Sequence, residues 1–273
     1  MRVVRMVTTI IITMRATAIS RRERTEAGPW PTRWEDASIN VPAAETSQGH
    51  SALPLFAWLS PSFPVGSFAF SHGMEWAVHQ GTVRDLETTR AWIGALLTHG
   101  SLRNDVILAS CAWSSVRATD AAGLREAAEL AVALSGCRER HLETSAQGTA
   151  FVTALKTAWM TPKIAWALEA LRTEEIAYPV ALAIGGAGHA IERHPLLEAF
   201  ALALVQNLVS AAIRLSVIGQ SDGQRAIASL MPSARRLAAE AEVATLDDLG
   251  GAAFHSDIAA IKHETQYTRL FRS

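Results

Sequence analysis

His72 and Glu75, three residues apart, pair an imidazole with a carboxylate, the combination that general acid–base chemistry requires. With Arg214 they define one possible enzyme site in this chain. No nearby Ser, Cys or Lys comes with an orienting third group, so no nucleophile is apparent. Metal ligation is the other chemistry to weigh. His72 and His79 are seven apart, about 10.5 Å along a helix, too far for one mononuclear site. His189 and His194 are five apart, with Pro195 behind them. The sequence contains no H-E-x-x-H, no C-x-x-C, no histidine-rich tract and no phosphate loop of the G-x-x-x-x-G-K-[ST] type. Gly185-Gly186-Ala187-Gly188 superficially resembles a dinucleotide fingerprint, but the preceding residues predict a helix after Pro179 where that motif needs a strand. Small residues that let two helices approach closely are the favoured reading of these glycines. A surface for other proteins is the remaining reading for His72 and Glu75.

The elements that position these groups begin with Pro61–Trp76, PSFPVGSFAFSHGMEW. Pro61 and Pro64 exclude helix before Val65, Gly66 permits a turn, and Ser67 predicts an N-cap. On a continuous helix, Phe70, Met74, Ala77 and Val78 share a core-facing stripe. Phe68, His72, Glu75 and His79 then fall on the opposite side, away from the core.

The same segment closely resembles the signature P-x-G-G-F-x-Y-S-H-G-L-E of the urease accessory protein F (UreF) family. Ser67 replaces the second glycine, Phe70 the tyrosine and Met74 the leucine. Two further blocks match in order, VSAAIRLSVIGQSDGQ at Val209–Gln224 and IKHETQYTRLFRS at Ile261–Ser273. The resemblance runs from about Leu53 to Ser273. It implies an all-α, dimeric, non-catalytic protein of urease maturation. Such a protein joins a UreD/UreH-like partner to a UreG-like GTPase so that nickel reaches the urease apoprotein. It also implies that Arg269 and the turn aromatics Phe68 and Phe70 build the partner surface. No cofactor of its own is implied.

Composition agrees with a soluble helical domain. Of 273 residues 49% are hydrophobic, and the net charge of −1 gives no electrostatic case for nucleic acid or an anionic membrane. Two cysteines, Cys111 and Cys137, sit in apolar helical patterns, which predicts reduced thiols and a cytoplasmic location. Residues 1–50 differ in kind. Met1–Arg24 carries six arginines against one acid, and the next residues are rich in Pro, Gly, Ser and Thr. Val7–Met14 followed by Ala16-Thr17-Ala18 has the outline of a signal peptide, but Arg5 and Arg15 leave a hydrophobic stretch at the short end. The adopted reading is a disordered extension, 1–50, ahead of a helical domain, 51–273.

From Leu53 onward the pattern is helical almost throughout. Helices are predicted over Leu86–His99, Leu102–Val116, Ala121–Cys137, Arg138–Trp159, Val180–Ile191 and Arg225–Ala244, giving a single domain of about nine to eleven helices. Pro195–Gly219 is long enough to span a membrane but holds Glu198, Gln206, Asn207 and Arg214, which favours a buried central helix. In the turn after it, Gly219 suits a C′ position and Asp222 an N-cap, while Gln220 and Gln224 offer amides to a neighbour or partner. Finally, Ser256–Glu264 is predicted helical with Ile258 and Ile261 inward. Beyond it Tyr267, Leu270 and Phe271 interleave with Arg269 and Arg272, residue types enriched at binding hot spots. The candidate partner-binding set is therefore Phe68, Phe70, Ser71, His72, Glu75, Gln220, Asp222, Gln224, Tyr267, Arg269, Leu270, Phe271 and Arg272.

Overall fold

The computed structural model describes residues 51–172 and 175–273; expectations for residues 1–50 lie outside it. Every regular element among the described residues is helical: α1 Leu53–Trp58, α2 Met74–His79, α3 Leu86–His99, α4 Ser101–Ala118, α5 Ala121–Ala133, α6 Arg138–Ala158, α7 Pro162–Leu171, α8 Tyr178–Gly188, α9 Arg193–Arg214, α10 Gln220–Val243 and α11 Phe254–His263. Short 3-10 turns occupy Ser67–Ala69 and Leu246–Asp248. The all-α expectation holds.

Local chemistry sets several of these boundaries. Asp85 caps α3 by accepting the Thr88 N–H at 2.8 Å, and Thr88 answers with a hydroxyl on the Asp85 main chain. Thr161 caps α7 and Pro162 occupies its first turn, where a missing N–H costs nothing.

Helix α8 is the axis of the bundle. Its residues from Tyr178 to Ala187 are all buried, as expected of a helix apolar on every side. It packs on α4, α6 and α7. The glycine cluster lies within it and serves close packing. A Cβ on Gly186 would fall 2.8 Å from Leu196 Cδ2, and one on Gly188 2.3 Å from Ile164 Cγ1. Helix α9 is apolar and long enough to cross a membrane, yet it lies against α10, α4 and α3. Leu196, Leu197, Phe200, Val205 and Leu208 all point into this core. Cys111 and Cys137 are free, partly buried, and burial pushes both thiols up.

Candidate functional site

The chain from Val65 to Glu75 is not one helix. Gly66 turns it with φ 70°, the 3-10 turn Ser67–Ala69 follows, Phe70 is extended, and His72 and Gly73 are both left-handed at φ 58° and 74°. Only then does α2 begin. Because the chain reverses at His72–Gly73, helical spacing across it has no meaning. The expectation that His72 and Glu75 face away from the core is therefore corrected. Ser71, His72 and Glu75 are buried, as is Phe70. Gly73 also lets the turn abut α11: a Cβ there would stand 2.6 Å from the Ala260 main-chain nitrogen.

Inside, three buried carboxylates form a seat for the C-terminal segment. Glu75 comes from α2, Glu139 and Glu143 from one face of α6. Glu75 Oε1 accepts the Leu270 N–H at 2.7 Å; its Oε2 accepts the Phe271 N–H at 2.8 Å and faces His263 Nε2 at 3.0 Å. Glu139 Oε2 faces His263 Nδ1 at 2.6 Å, and its Oε1 accepts from Arg269 Nη1 at 2.6 Å. Glu143 Oε2 accepts from Arg140 Nη1 at 2.6 Å and from the Ser273 hydroxyl at 2.9 Å, while Oε1 lies 2.9 Å from His72 Nδ1. Unpaired carboxylates this deep would cost several kcal/mol each, so this set stands because each oxygen has a donor.

The electrostatics follow from that pairing. Burial alone would push the Glu143 carboxyl up; the Arg140 guanidinium and the His72 imidazole outweigh it and hold the group at about 2. At Asp105, 3.7 Å from Arg140, burial outweighs the Arg140 guanidinium and the His72 imidazole and raises the carboxyl above the ordinary range.

Main-chain bonds complete the seat. Ser71 donates both its N–H, at 2.7 Å, and its hydroxyl to the Ser273 main-chain oxygen, and Arg272 N–H reaches the Ala69 carbonyl at 2.8 Å. Phe271 is buried with the Arg214 guanidinium 4.1 Å over its ring, and Arg214 also donates to the Phe68 carbonyl. Arg272 lies over Phe70 at 5.8 Å. Turn and tail are one assembled unit.

What this unit leaves outside is specific. Phe68 is 66% exposed, Leu270 63% and Tyr267 97%. The Arg269 side chain is 40% exposed, although one nitrogen is anchored on Glu139. The expected set therefore divides: Phe68, Tyr267, Arg269, Leu270 and Arg272 face outward, whereas Phe70, Ser71, His72, Glu75 and Phe271 hold them in place. Ile258 and Ile261 are corrected as well. Both are exposed, and α11 buries Ser256, Ala259, Ala260 and His263 instead. Its exposed face carries Phe254, Ile258 and Ile261, spaced four and three apart.

At the start of α10 the roles differ from expectation. The left-handed residue after α9 is Ser216, not Gly219, and Gly219 precedes the first residue of α10. Asp222 lies inside the first turn, bonded to Arg225 at 2.6 Å, while Gln220 and Gln224 are exposed.

The groups proposed for an enzyme site turn to different partners: His72 to Glu143, Glu75 to the tail, Arg214 to Phe68 and Phe271. A cavity of about 490 Å³ lies under Pro61–Phe68, lined among others by His72, Asp105, Arg140, Tyr178 and Phe200. Among the described residues no group of three or more His, Cys, Asp or Glu side chains is placed to hold a metal ion.

Sequence reasoning missed Glu139, Glu143, Arg140 and His263. A usable signal existed on α6, where Glu139, Glu143 and Gln147 recur every fourth residue as a buried polar stripe.

The profile of the UreF family matches residues 83–231. A protein of Xanthobacter autotrophicus named urease accessory protein UreF is 51% identical over 223 residues, 82% of this chain and 91% of the relative. Proteins with the same name from Methylobacterium radiotolerans (46% over 233 residues, 85% of this chain, 100% of the relative) and Rhodopseudomonas palustris (47% over 226 residues, 83% and 95%) are similarly close.

Proposed function

Because the chain belongs to the UreF family of urease accessory proteins, we propose that it is a non-catalytic scaffold of urease maturation, needed for nickel insertion into the urease active site. In this reading it binds a UreD/UreH-like protein and recruits a UreG-like GTPase, whose activity it regulates, and the complex engages the urease apoprotein. It acts in the cytoplasm as a homodimer.

The observation that carries the reading is the seated tail. Three buried carboxylates and the Arg214 guanidinium hold an eleven-residue stretch, 263–273, whose Tyr267 and Leu270 nevertheless project outward beside Arg269. A fold that merely tucked in its last residues would bury the large apolar ones first. Rigid presentation of an aromatic, an aliphatic and an arginine is the composition of a binding hot spot, pre-organised so that little entropy is lost on association.

Co-purification of the chain with UreD-like and UreG-like proteins tests this. A stable complex with the UreD-like protein that then retains the GTPase supports the scaffold. Absence of any complex under conditions where the two partners are folded contradicts it.

A further inference from the structure

His263 is fully buried, and both of its ring nitrogens face carboxylate oxygens, Glu75 Oε2 at 3.0 Å and Glu139 Oε2 at 2.6 Å. A neutral imidazole has one N–H and one lone pair. In either tautomer it would aim that lone pair at a carboxylate oxygen, a repulsive contact for a fully buried ring. With both carboxylates ionised, only the imidazolium, with two donors, satisfies both neighbours.

The surrounding charges are mixed. Glu75, Glu139 and Glu143 are three buried carboxylates; Arg140, Arg269 and Arg214 supply positive charge to them, and the His72 imidazole faces Glu143. Asp105, farther along the Arg140 side, is the carboxyl that burial raises. The groups that meet His263 can be named element by element. From α2 it faces Glu75, from α6 Glu139, and from the tail Arg269 through the other Glu139 oxygen. On α11 itself, Asp257 and Lys262 precede it, and the following Glu264 turns away to the Arg138 N–H at 2.8 Å.

We propose that His263 is a proton-dependent positioning residue: its protonated ring joins Glu75 to Glu139 and thereby seats the segment that presents Arg269, Leu270 and Tyr267. The link is direct, because the same Glu75 carboxylate that faces His263 accepts the amides of Leu270 and Phe271, and the same Glu139 carboxylate anchors Arg269. Loss of the proton sets two carboxylates against a neutral ring and loosens their hold on all three tail residues. The sign is fixed by the geometry. Seating is complete with the imidazolium and is lost with its proton, so it weakens toward higher pH.

This inference deepens the scaffold reading by making partner presentation conditional on pH, but its test needs no partner. Amide hydrogen exchange of residues 267–273 is measured on the isolated full chain at pH about 6 and about 9, corrected for intrinsic rates, in wild type, His263→Gln and His263→Lys. Wild type should lose at least about tenfold in protection on going to the higher pH. His263→Gln should be unprotected at both values. His263→Lys, which keeps a positive charge at both, should be protected at both. Wild-type protection that does not respond to pH overturns the proposal, and so does a glutamine variant as protected as wild type. Should the glutamine variant lack a cooperative thermal transition, the ¹⁵N shifts of the wild-type His263 ring decide. A doubly protonated ring at pH about 6 that turns neutral together with tail release supports the proposal; a neutral ring at that pH overturns it. Failure of the chain to bind any UreD-like protein would leave these readouts unchanged.

Discussion

Glu75 accepts the main-chain N–H of Leu270 at 2.7 Å, joining residues 195 positions apart. The same carboxylate receives Phe271 at 2.8 Å, so a single side chain fixes the register of the tail on the turn. A side chain that accepts two successive amides acts as a strand or loop partner would, without adding any backbone. Its position at the base of the Phe68 turn makes the turn and the tail one surface.

Glu75→Gln should therefore free the tail without unfolding the bundle. A glutamine offers one oxygen and one NH₂, so one of the two amides would meet a donor. The cost of leaving such a buried group unsatisfied is roughly 1–3 kcal/mol. Hydrogen exchange should show residues 268–273 deprotected while α4, α8 and α9 keep their wild-type rates.

Gly73→Ala should be far more damaging than its size suggests. The residue sits at φ 74°, and its new methyl would lie 2.6 Å from the Ala260 nitrogen. Backbone cannot yield as a flexible side chain does, so α11 must move off the turn. A loss of roughly 2 kcal/mol or more is expected in thermal or denaturant unfolding, against tenths for the exposed Gly81→Ala beyond its own left-handed strain.

Much of the fold was legible because its signals are local. Asp85, Thr161, Pro162 and Gly100 mark helix ends by chemistry that acts within a few residues, and α9 is apolar enough to be placed at the centre. The site was less legible. His72 and Gly73 adopt left-handed geometry together, which breaks any periodicity drawn from Phe68 to His79. On α11 the buried stripe consists of Ser256, Ala259, Ala260 and His263, small or polar residues, so the large isoleucines misdirect a reading by hydrophobicity. Glu139 and Glu143 pair with residues more than 120 positions away, and no local pattern reports such partners.

Acid should weaken this region through Glu143. Its folded carboxyl is held at about 2, below the unfolded value near 4.5, so its contribution is present above pH ~4.5 and is lost as pH falls toward ~2. Glu143→Gln should lower stability at neutral pH and flatten the acid limb of a stability–pH curve measured between those values. An unchanged slope would place the dependence on other carboxylates.

The outward-facing side chains should separate binding from folding. Leu270→Ala and Tyr267→Ala remove exposed groups and should shift unfolding free energy by ~0.5 kcal/mol or less. Both should weaken association with the UreD-like protein, Leu270→Ala without altering protection of its own amide. Phe68→Ala, across the turn, should weaken association too.

Arg269→Ala tests the central claim most directly, by titrating the variant and wild type against the purified UreD-like partner. Its loss leaves an oxygen of the buried Glu139 without its donor, so the tail should be destabilised by roughly 1–3 kcal/mol while the helical bundle stays folded. As a hot spot, the guanidinium should be worth roughly 2 kcal/mol to the complex, a weakening of about thirtyfold, while Thr268→Ala changes little. The account predicts that loss with an intact thermal transition. Equal affinity of Arg269→Ala and wild type would contradict it and leave the seated tail as structure alone.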